Sequence, residues 1–123
     1  MATSVTVEAH PADAAAVETA RAASLSAADA KRLSDLLALV ADPVRCRILL
    51  ALGSVEALCV GDLALALEVS EDATSYALKL LRTAGLVRND RDGRTVYYRL
   101  ADGFPHQLVE HCLRQLLSIS TAR

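Results

Sequence analysis

The stretch from residue 57 to residue 87 constrains the fold more than any other part of the chain, because it contains two helical patterns separated by a short break. The first helix is predicted to begin near Val60. The second is predicted to run from its N-cap, Ser70, to about Ala84, and Gly85 then stands where a left-handed residue commonly ends a helix. A short helix, a tight turn and a longer helix together predict a helix-turn-helix.

The second predicted helix has two chemically different faces. One face is apolar at helical spacing and is expected to pack in the core: Ala73, Thr74, Ala77, Leu78, Leu80 and Leu81. The opposite stripe carries hydrogen-bonding side chains: Asp72, Ser75, Tyr76, Lys79, Arg82 and Thr83. A helix with such a stripe can enter the major groove of DNA and contact base edges. These residues alone leave open an ordinary helical hairpin inside a core.

A basic β-hairpin is predicted directly after this unit. Residues 86–88 and 94–100 are β-forming, and the Asp-Gly pair in the turn at 90–93 is a strong hairpin signal. Its arginines are Arg88, Arg91, Arg94 and Arg99. A basic hairpin after a helix-turn-helix is a wing, which can hold the phosphate backbone beside the groove. The predicted DNA contacts are Ser70, Asp72, Ser75, Tyr76, Lys79, Arg82, Arg91 and Arg94.

The net charge of −2 agrees with DNA binding only when it is divided along the chain. Residues 70–99 hold six basic and four acidic side chains, whereas the remainder holds seven basic and eleven acidic ones. The positive charge is therefore concentrated in the predicted reading unit, although weakly. A dimer would double this footprint, and we expect modest, salt-sensitive affinity for DNA.

Composition excludes several other classes of protein. No apolar run reaches the roughly 18–20 residues that span a bilayer, and the N-terminus lacks the pattern of a secretion signal. We therefore expect a cytoplasmic protein without a membrane partner. Three cysteines at wide spacing argue against a disulfide framework. No nucleophile–base pair and no phosphate-binding loop is visible, so enzyme activity is not expected.

The rest of the chain suggests one domain with an N-terminal arm. Residues 1–25 are predicted to form the arm, with a short helix over 12–23, and residues 119–123 a C-terminal tail. The domain between them, residues 26–118, is predicted to be mainly α with a small β-hairpin. Ser26 is a good cap for a helix to about Ala41, and Asp42-Pro43 is typical of the start of the next helix, which ends at Gly53.

The last helix is predicted to begin near Asp102, with Pro105 in its first turn. It has a broad apolar stripe that consists of Leu108, Val109, Cys112, Leu113, Leu116 and Leu117. Little of the chain remains to cover this stripe. The first helix of the domain and this last one are therefore the candidates for a homodimer interface, with burial inside a monomer as the alternative.

Four motifs in order resemble the ArsR/SmtB family of bacterial repressors. They are Ala-Asp-Pro-Val-Arg-Cys-Arg-Ile-Leu at 41–49, Leu-Cys-Val-Gly-Asp-Leu at 58–63, the segment 69–87, and the hairpin segment 93–100. The match covers roughly residues 30–118. The resemblance implies a homodimeric winged helix that binds an inverted-repeat operator in double-stranded DNA. It also implies that an inducer, usually a metal ion, releases the protein from DNA.

The resemblance carries a metal site over to particular residues. Members that sense through the helix before the recognition helix use the cysteine of the Leu-Cys-Val segment, an aspartate three residues later, and ligands from the other subunit's arm. The matching residues here are Cys59 and Asp62, and the arm offers His10. A thiolate, an imidazole and carboxylates suit zinc or cadmium. Sensors of arsenite or lead typically have a second cysteine where this chain has Gly61.

The family's other common metal site lies on the last helices across the dimer, and its pattern is broken here. Asp102 matches the first ligand, but Phe104 replaces a histidine, and Gln115 and Ser118 stand at the later ligand positions. The residues of a rearranged alternative site are Asp102, His106, Glu110 and His111. The first three are spaced four residues apart, which would place them on one helix face.

Two further functions remain open. A thiol- or redox-responsive repressor of the same fold would sense through Cys59 or Cys112. A small helical interaction protein would use its last helix and would not bind DNA. Packing is the simpler interpretation of Cys46 and Cys112, because a free cysteine behaves as a small hydrophobic residue.

Overall fold

The computed structural model describes residues 10–121 of the chain. Within them the fold is mainly α with a small antiparallel sheet, as predicted. In chain order the elements are α1 (Ala14–Ala23), α2 (Ala27–Val40), α3 (Pro43–Leu52), β1 (Leu58–Cys59), α4 (Val60–Leu67), α5 (Glu71–Thr83), β2 (Val87–Asp92), β3 (Thr95–Leu100) and α6 (His106–Thr121). No helix in this part of the chain is both long and apolar enough to cross a membrane.

The predicted capping residues begin the helices as expected. Ser26 Oγ accepts from the backbone N–H of Asp29 at 3.1 Å at the start of α2, and Asp42 caps α3 in the same way. Ser70 Oγ caps α5 at 3.1 Å. Asp13 caps α1, which was not predicted. Each such bond stabilises its helix by about 1 kcal/mol.

The chain divides into two compact units, one ending at Ser34 and the other beginning at Asp35. The predicted boundary at residue 25 falls within the first of these units. In the first unit, residues 10–34 are all exposed. In the second unit, α6 continues to Thr121, so the segment predicted as a tail from residue 119 begins as helix.

The core of the second unit is built from α3, α4, α5 and the start of β2. Its buried side chains are Ile48, Leu49, Leu52, Leu63, Ala77, Leu78, Leu81 and Val87. Thr74 is also fully buried, and its hydroxyl donates to the carbonyl oxygen of Ser70 at 2.8 Å. Of the apolar face predicted for α5, Ala73 is exposed and Leu80 is half-buried. Burying one large aliphatic side chain contributes roughly 1.5–3 kcal/mol.

The sheet has three strands in the order β1–β3–β2, all antiparallel. The short strand β1 was not predicted, because only two residues, Leu58 and Cys59, form it. The hairpin turn also differs from prediction: β2 runs to Asp92, and the turn is Gly93-Arg94. Gly93 has a positive φ of 67° while Arg94 does not, which is the pattern of a type II′ turn.

Two arginines of α3 hold the ends of neighbouring helices. Arg45 Nε donates to the carbonyl oxygen of Leu39 near the end of α2. Arg47 Nη2 donates to the carbonyl oxygen of Leu67 at the end of α4, at 2.7 Å. Both acceptors belong to the last turns of their helices, whose carbonyls have no partner inside the helix. Helix α3 is thus fixed to both α2 and α4.

Candidate nucleic-acid interface and sensor residues

Helices α4 and α5 form the helix-turn-helix. Helix α4 ends at Leu67, its C-cap Glu68 has left-handed backbone angles (φ 56°, ψ 46°), and α5 begins at Glu71 after the Ser70 cap. Non-glycine residues adopt this conformation uncommonly. The break between the two helices was predicted from the sequence, but the conformation of Glu68 was not.

The outward stripe of α5 is exposed along the helix, as predicted. Its residues are Asp72, Ser75, Tyr76, Lys79 and Arg82, with Tyr76 at 63% exposure. The opposite face is buried in the core, so the packing fixes which side chains point outward. Ser70 is exposed too, and its hydroxyl oxygen accepts from Ala73 N–H, which leaves the hydroxyl proton available as a donor.

The hairpin arginines fall into two pairs with different surroundings. Arg88 Nη1 lies 2.7 Å from Asp102 Oδ2, and Arg99 Nε lies 3.4 Å from Asp90 Oδ2. Arg91 and Arg94 are exposed, and neither has an ion-pair partner among residues 10–121. Sequence alone grouped all four, whereas the structure leaves two of these charges uncompensated.

Cys59 and Asp62 both lie at the start of α4. Cys59 is half-buried at the N-cap position, and its side chain makes no capping hydrogen bond. Asp62 is exposed in the first turn. A Cβ placed on Gly61 would lie 3.6 Å from Oε2 of Glu71, so the first residue of α5 brings a carboxylate beside the first turn of α4. The proximity of Glu71 to Gly61 was not predicted from the sequence.

The third residue of the predicted site, His10, is exposed and belongs to the first unit. Glu8, two residues before His10, lies outside the described residues. In the described part of the chain, no three His, Cys, Asp or Glu side chains are grouped so that they could hold a metal ion. Within residues 10–121, Cys59 and Asp62 are therefore not joined by a third side chain of this kind.

The alternative site on the last helix needs a correction. Helix α6 begins at His106, and Asp102 precedes it, separated from it by Gly103 with φ +82°. The prediction that Asp102 shares a helix face with His106 and Glu110, and that it caps this helix, is therefore wrong. Asp102 pairs with Arg88, and Glu110 Oε2 accepts from Arg114 at 2.9 Å.

His111 is exposed on α6, whereas His106 contacts α3. A Cβ placed on Gly53 would lie 3.2 Å from Cδ2 of His106, so this imidazole packs against the end of α3. The two histidines of the alternative site thus have different surroundings.

The cysteines are all free thiols, and their exposure differs. Cys46 and Cys59 are half-buried, whereas Cys112 is exposed on α6. The expectation that Cys112 packs is not met within this chain, because the apolar stripe of α6 is only partly covered.

Large apolar side chains are exposed on α2 and α6. On α6, Leu108 is 71% exposed, Leu116 56%, Leu117 64% and Ile119 67%. On α2, Leu33, Leu36 and Leu37 are 42–57% exposed. Both helices were the predicted dimerisation elements.

Comparison with known proteins agrees with this geometry. The pattern of the family described as "Bacterial regulatory protein, arsR family" matches residues 42–89, which include α3, α4 and α5. A transcriptional repressor SmtB homologue from Synechocystis is 46% identical over 78 residues, which are 63% of this chain and 58% of that protein. A cadmium resistance transcriptional regulatory protein CadC homologue from Staphylococcus aureus is 37% identical over 58% of this chain and 59% of its own length.

The matched part spans about half to three-fifths of these and the other first curated relatives. Among solved structures, HlyU from Vibrio cholerae is 33% identical, covers 74% of this chain and 97% of its own, and superposes with a TM-score of 0.62. A structure of the same protein is described as reduced. The observed helix-turn-helix and wing agree with these similarities. The chain belongs to the arsR family of bacterial regulatory proteins.

Proposed function

We propose that this chain is a metal-responsive transcriptional repressor, which binds an inverted-repeat operator as a homodimer and is released when zinc or cadmium binds. One observation carries the DNA-binding part. The polar stripe of α5 is exposed, and the hairpin that follows presents Arg91 and Arg94 without an ion-pair partner in the described residues. Membership of a family of bacterial regulatory proteins supports the same assignment.

The stripe of α5 divides into two parts by its chemistry. Ser75 and Tyr76 lie in the N-terminal half, the part of a recognition helix that contacts base edges. Asp72 can accept a hydrogen bond from the N4 amino group of cytosine. Lys79 and Arg82 lie further along and suit contacts with phosphates. In this arrangement α5 reads the sequence, and the wing arginines contribute affinity that depends on salt.

A second copy of the chain is the proposed cover for the apolar side chains of α2 and α6. Leu116, Leu117 and Ile119 are each more than half exposed, and removing such area from water favours association. A symmetric dimer would also place two copies of α5 on the two halves of an inverted repeat.

Cys59 and Asp62 of one copy, with His10 of the other, are the proposed metal ligands. The chemistry of the donors fits zinc or cadmium, because a thiolate, a carboxylate and an imidazole are ligands that these ions accept. The Cys59 sulfur is not used in capping, so no hydrogen bond to the helix must be broken. When bound, the metal would supply two positive charges and a fixed coordination geometry.

Glu71 supplies a route from this site to DNA. Its carboxylate lies beside Gly61, and Gly61 stands between Cys59 and Asp62 in the sequence. Glu71 itself belongs to the first turn of the recognition helix α5. Positive charge at the start of α4 would attract this carboxylate and bias the position of α5 relative to α4. Metal binding and DNA binding are thereby coupled through one helix pair.

Titration of operator binding with zinc, cadmium, nickel, cobalt and arsenite tests the proposal, with wild type and Cys59→Ser compared. Serine is a good N-cap, so the variant should fold and bind the operator, yet it should lose metal-driven release. Metal affinity of the wild type should fall towards acid pH, because metal and protons compete for the ligands. Cys112→Ser is the matched control and should respond like wild type.

His10→Ala should give a milder loss than Cys59→Ser, because a ligand on an arm can be replaced by water. If Cys59→Ser still responds fully and His106→Ala does not, the sensor lies on α6 and the assigned ligands are wrong. If neither the wild type nor any of the variants binds an inverted-repeat operator, the repressor proposal itself fails.

A thiol-responsive repressor of the same fold is the second candidate. The exposure of Cys112 and the similarity to HlyU, which has been solved in a form described as reduced, favour it. In that case a mild oxidant should release DNA without added metal, and Cys112→Ser or Cys59→Ser should abolish the effect.

A further inference from the structure

Helix α4 carries no side chain that is suited to contact a phosphate. In a helix-turn-helix on DNA, the first helix crosses the phosphate backbone while the second enters the groove. Side chains that contact phosphates are cations, hydroxyls and amides. The sequence of α4 is Val-Gly-Asp-Leu-Ala-Leu-Ala-Leu, and its single ionisable group, the carboxylate of Asp62, would repel a phosphate. A side chain that holds the backbone at α4 would therefore have to belong to another element.

Arg47 of α3 brings a cation to the C-terminal end of α4. Its Nη2 donates to the carbonyl oxygen of Leu67, the last residue of α4, at 2.7 Å. This side chain makes no other hydrogen bond and no ion pair among residues 10–121, and the residue is exposed. The guanidinium is thus held at α4, and its other N–H donors have no partner in the described part of the chain.

The basic residues of the second unit separate into groups by their ion pairs. Arg88, Arg99 and Arg114 each pair with a carboxylate. The exposed ones that have no ion-pair partner among residues 10–121 are Arg47, Lys79, Arg82, Arg91 and Arg94. The last four lie on α5 and the wing and are already proposed to contact DNA. Arg47 shares their exposure and their uncompensated charge, but it lies at α4.

We propose that Arg47 contacts a phosphate of the DNA strand that α4 crosses. The proposal rests on the DNA-binding part of the proposed function, and it depends neither on the metal nor on the operator sequence. The hydrogen bond to Leu67 orders the guanidinium in advance, so less side-chain freedom is lost when DNA binds. Glu68, the acidic residue after Leu67, is exposed and makes no ion pair with Arg47. The contact adds affinity that depends on salt and is the same for every base sequence.

The experiment measures binding of the full chain, without added metal, to a duplex of random sequence at several salt concentrations by fluorescence anisotropy. Arg47→Gln should reduce the slope of log affinity against log salt by about 0.9 for each phosphate contact that is lost. Arg47→Lys keeps the charge, so its slope should stay close to that of the wild type. A purely structural role of Arg47 would change the free energy of unfolding but not this slope.

Arg45→Gln is the matched control. Arg45 belongs to the same helix and also donates to a carbonyl oxygen near a helix end, that of Leu39, but it is half-buried. Its replacement should leave the slope unchanged, and urea unfolding shows which variants are folded. If Arg47→Gln unfolds, the ¹⁵N resonance of Arg47 Nε in the wild type decides the matter. This resonance, assigned by its absence from Arg47→Lys, should shift when the duplex is added, whereas that of Arg45 should not.

The proposal is overturned if folded Arg47→Gln keeps the wild-type slope, if Arg47→Lys or Arg45→Gln lowers the slope as much, or if the Arg47 resonance does not respond to DNA. A wild-type slope in Arg47→Gln, together with reduced slopes in Arg91→Ala and Arg94→Ala, would remove this contact alone and leave the proposed DNA binding in place. A wild-type chain that binds no duplex would overturn both.

Discussion

The recognition helix α5 and the last helix α6 are both amphipathic, but among residues 10–121 the apolar face of α5 is largely buried, whereas most of the apolar stripe of α6 is exposed. On α5 the apolar face is buried at Thr74, Ala77, Leu78 and Leu81. On α6 no side chain from residue 106 to residue 120 is fully buried, and several leucines are mostly exposed. Packing within the chain therefore fixes the orientation of α5, whereas it leaves most of the apolar stripe of α6 uncovered among the described residues.

This difference separates two kinds of function in one fold. The position of α5 is set by core packing, so its outward side chains are presented in a fixed arrangement before DNA arrives. The stripe of α6 gains its free energy only on association, and its contribution should depend on protein concentration. Mutations in the apolar face of α5 should accordingly change the free energy of unfolding, whereas mutations in the stripe of α6 should change the affinity of association.

The largest expected effect comes from truncating the same residue type in the two helices. Leu78→Ala should lower the free energy of unfolding by about 2–5 kcal/mol, because Leu78 is fully buried in the core. Leu116→Ala should scarcely change the unfolding of the isolated chain, yet it should weaken the dimer. Urea denaturation at low concentration and analytical ultracentrifugation measure the two. Equal losses of folding stability would contradict the comparison.

The next effect concerns the outward face of α5. Tyr76→Ala and Ser75→Ala should each reduce discrimination between operator and random DNA by about 1–3 kcal/mol, because a base-edge contact is lost. Both side chains are exposed, so folding should be unchanged. Fluorescence anisotropy with both duplexes measures the ratio of affinities. A uniform loss on both duplexes would mean that these residues contact only the phosphate backbone.

A smaller effect is expected at the helix starts. Ser70→Ala should destabilise the chain by about 1 kcal/mol, because the N–H of Ala73 loses its acceptor. Gln107→Ala, at the start of α6, should change the free energy of unfolding by less than about 0.5 kcal/mol. Thermal and urea unfolding of both variants tests this, and a comparable loss in Gln107→Ala would refute the contrast.

The smallest effect should appear in the salt dependence of DNA binding. Arg91→Ala and Arg94→Ala should each reduce the slope of log affinity against log salt by about 0.9, as expected for one lost phosphate contact. Arg88→Ala serves as the control, because its charge is already paired with Asp102 and the slope should change little. Unchanged slopes in the first two variants would remove the wing from the DNA interface.

The elements that sequence predicted correctly are those specified by neighbouring residues. Ser26, Asp42 and Ser70 cap helices because a side-chain oxygen reaches a backbone N–H three residues later. Gly85 has the positive φ expected after α5. These features need no knowledge of the rest of the chain.

The features that sequence missed depend on distant partners. Strand β1 exists because Leu58 and Cys59 pair with Tyr98 and Tyr97, and two residues carry no alternation of their own. The capping of α4 by Arg47 joins residues that are 20 positions apart.

The candidate sites show the same division. The exposure of the α5 stripe followed from helical spacing, whereas the pairing of Arg88 with Asp102 did not. Asp102 was assigned to the last helix on spacing alone, and the left-handed Gly103 and the start of α6 at His106 exclude it from that helix. The ion pair of Arg99 with Asp90 was not visible in the sequence either, because it joins two strands of the sheet.

The two arginine contacts of α3 have a mechanical consequence. Arg45 donates to the last turn of α2 and Arg47 donates to the last turn of α4, so α3 is hydrogen-bonded to a helix on each side. A rotation of α3 about its own axis would displace both clamped ends together. A movement of the end of α2 would then be transmitted through α3 to α4, the first helix of the helix-turn-helix. It would not require a change in the segment that connects α3 to α4.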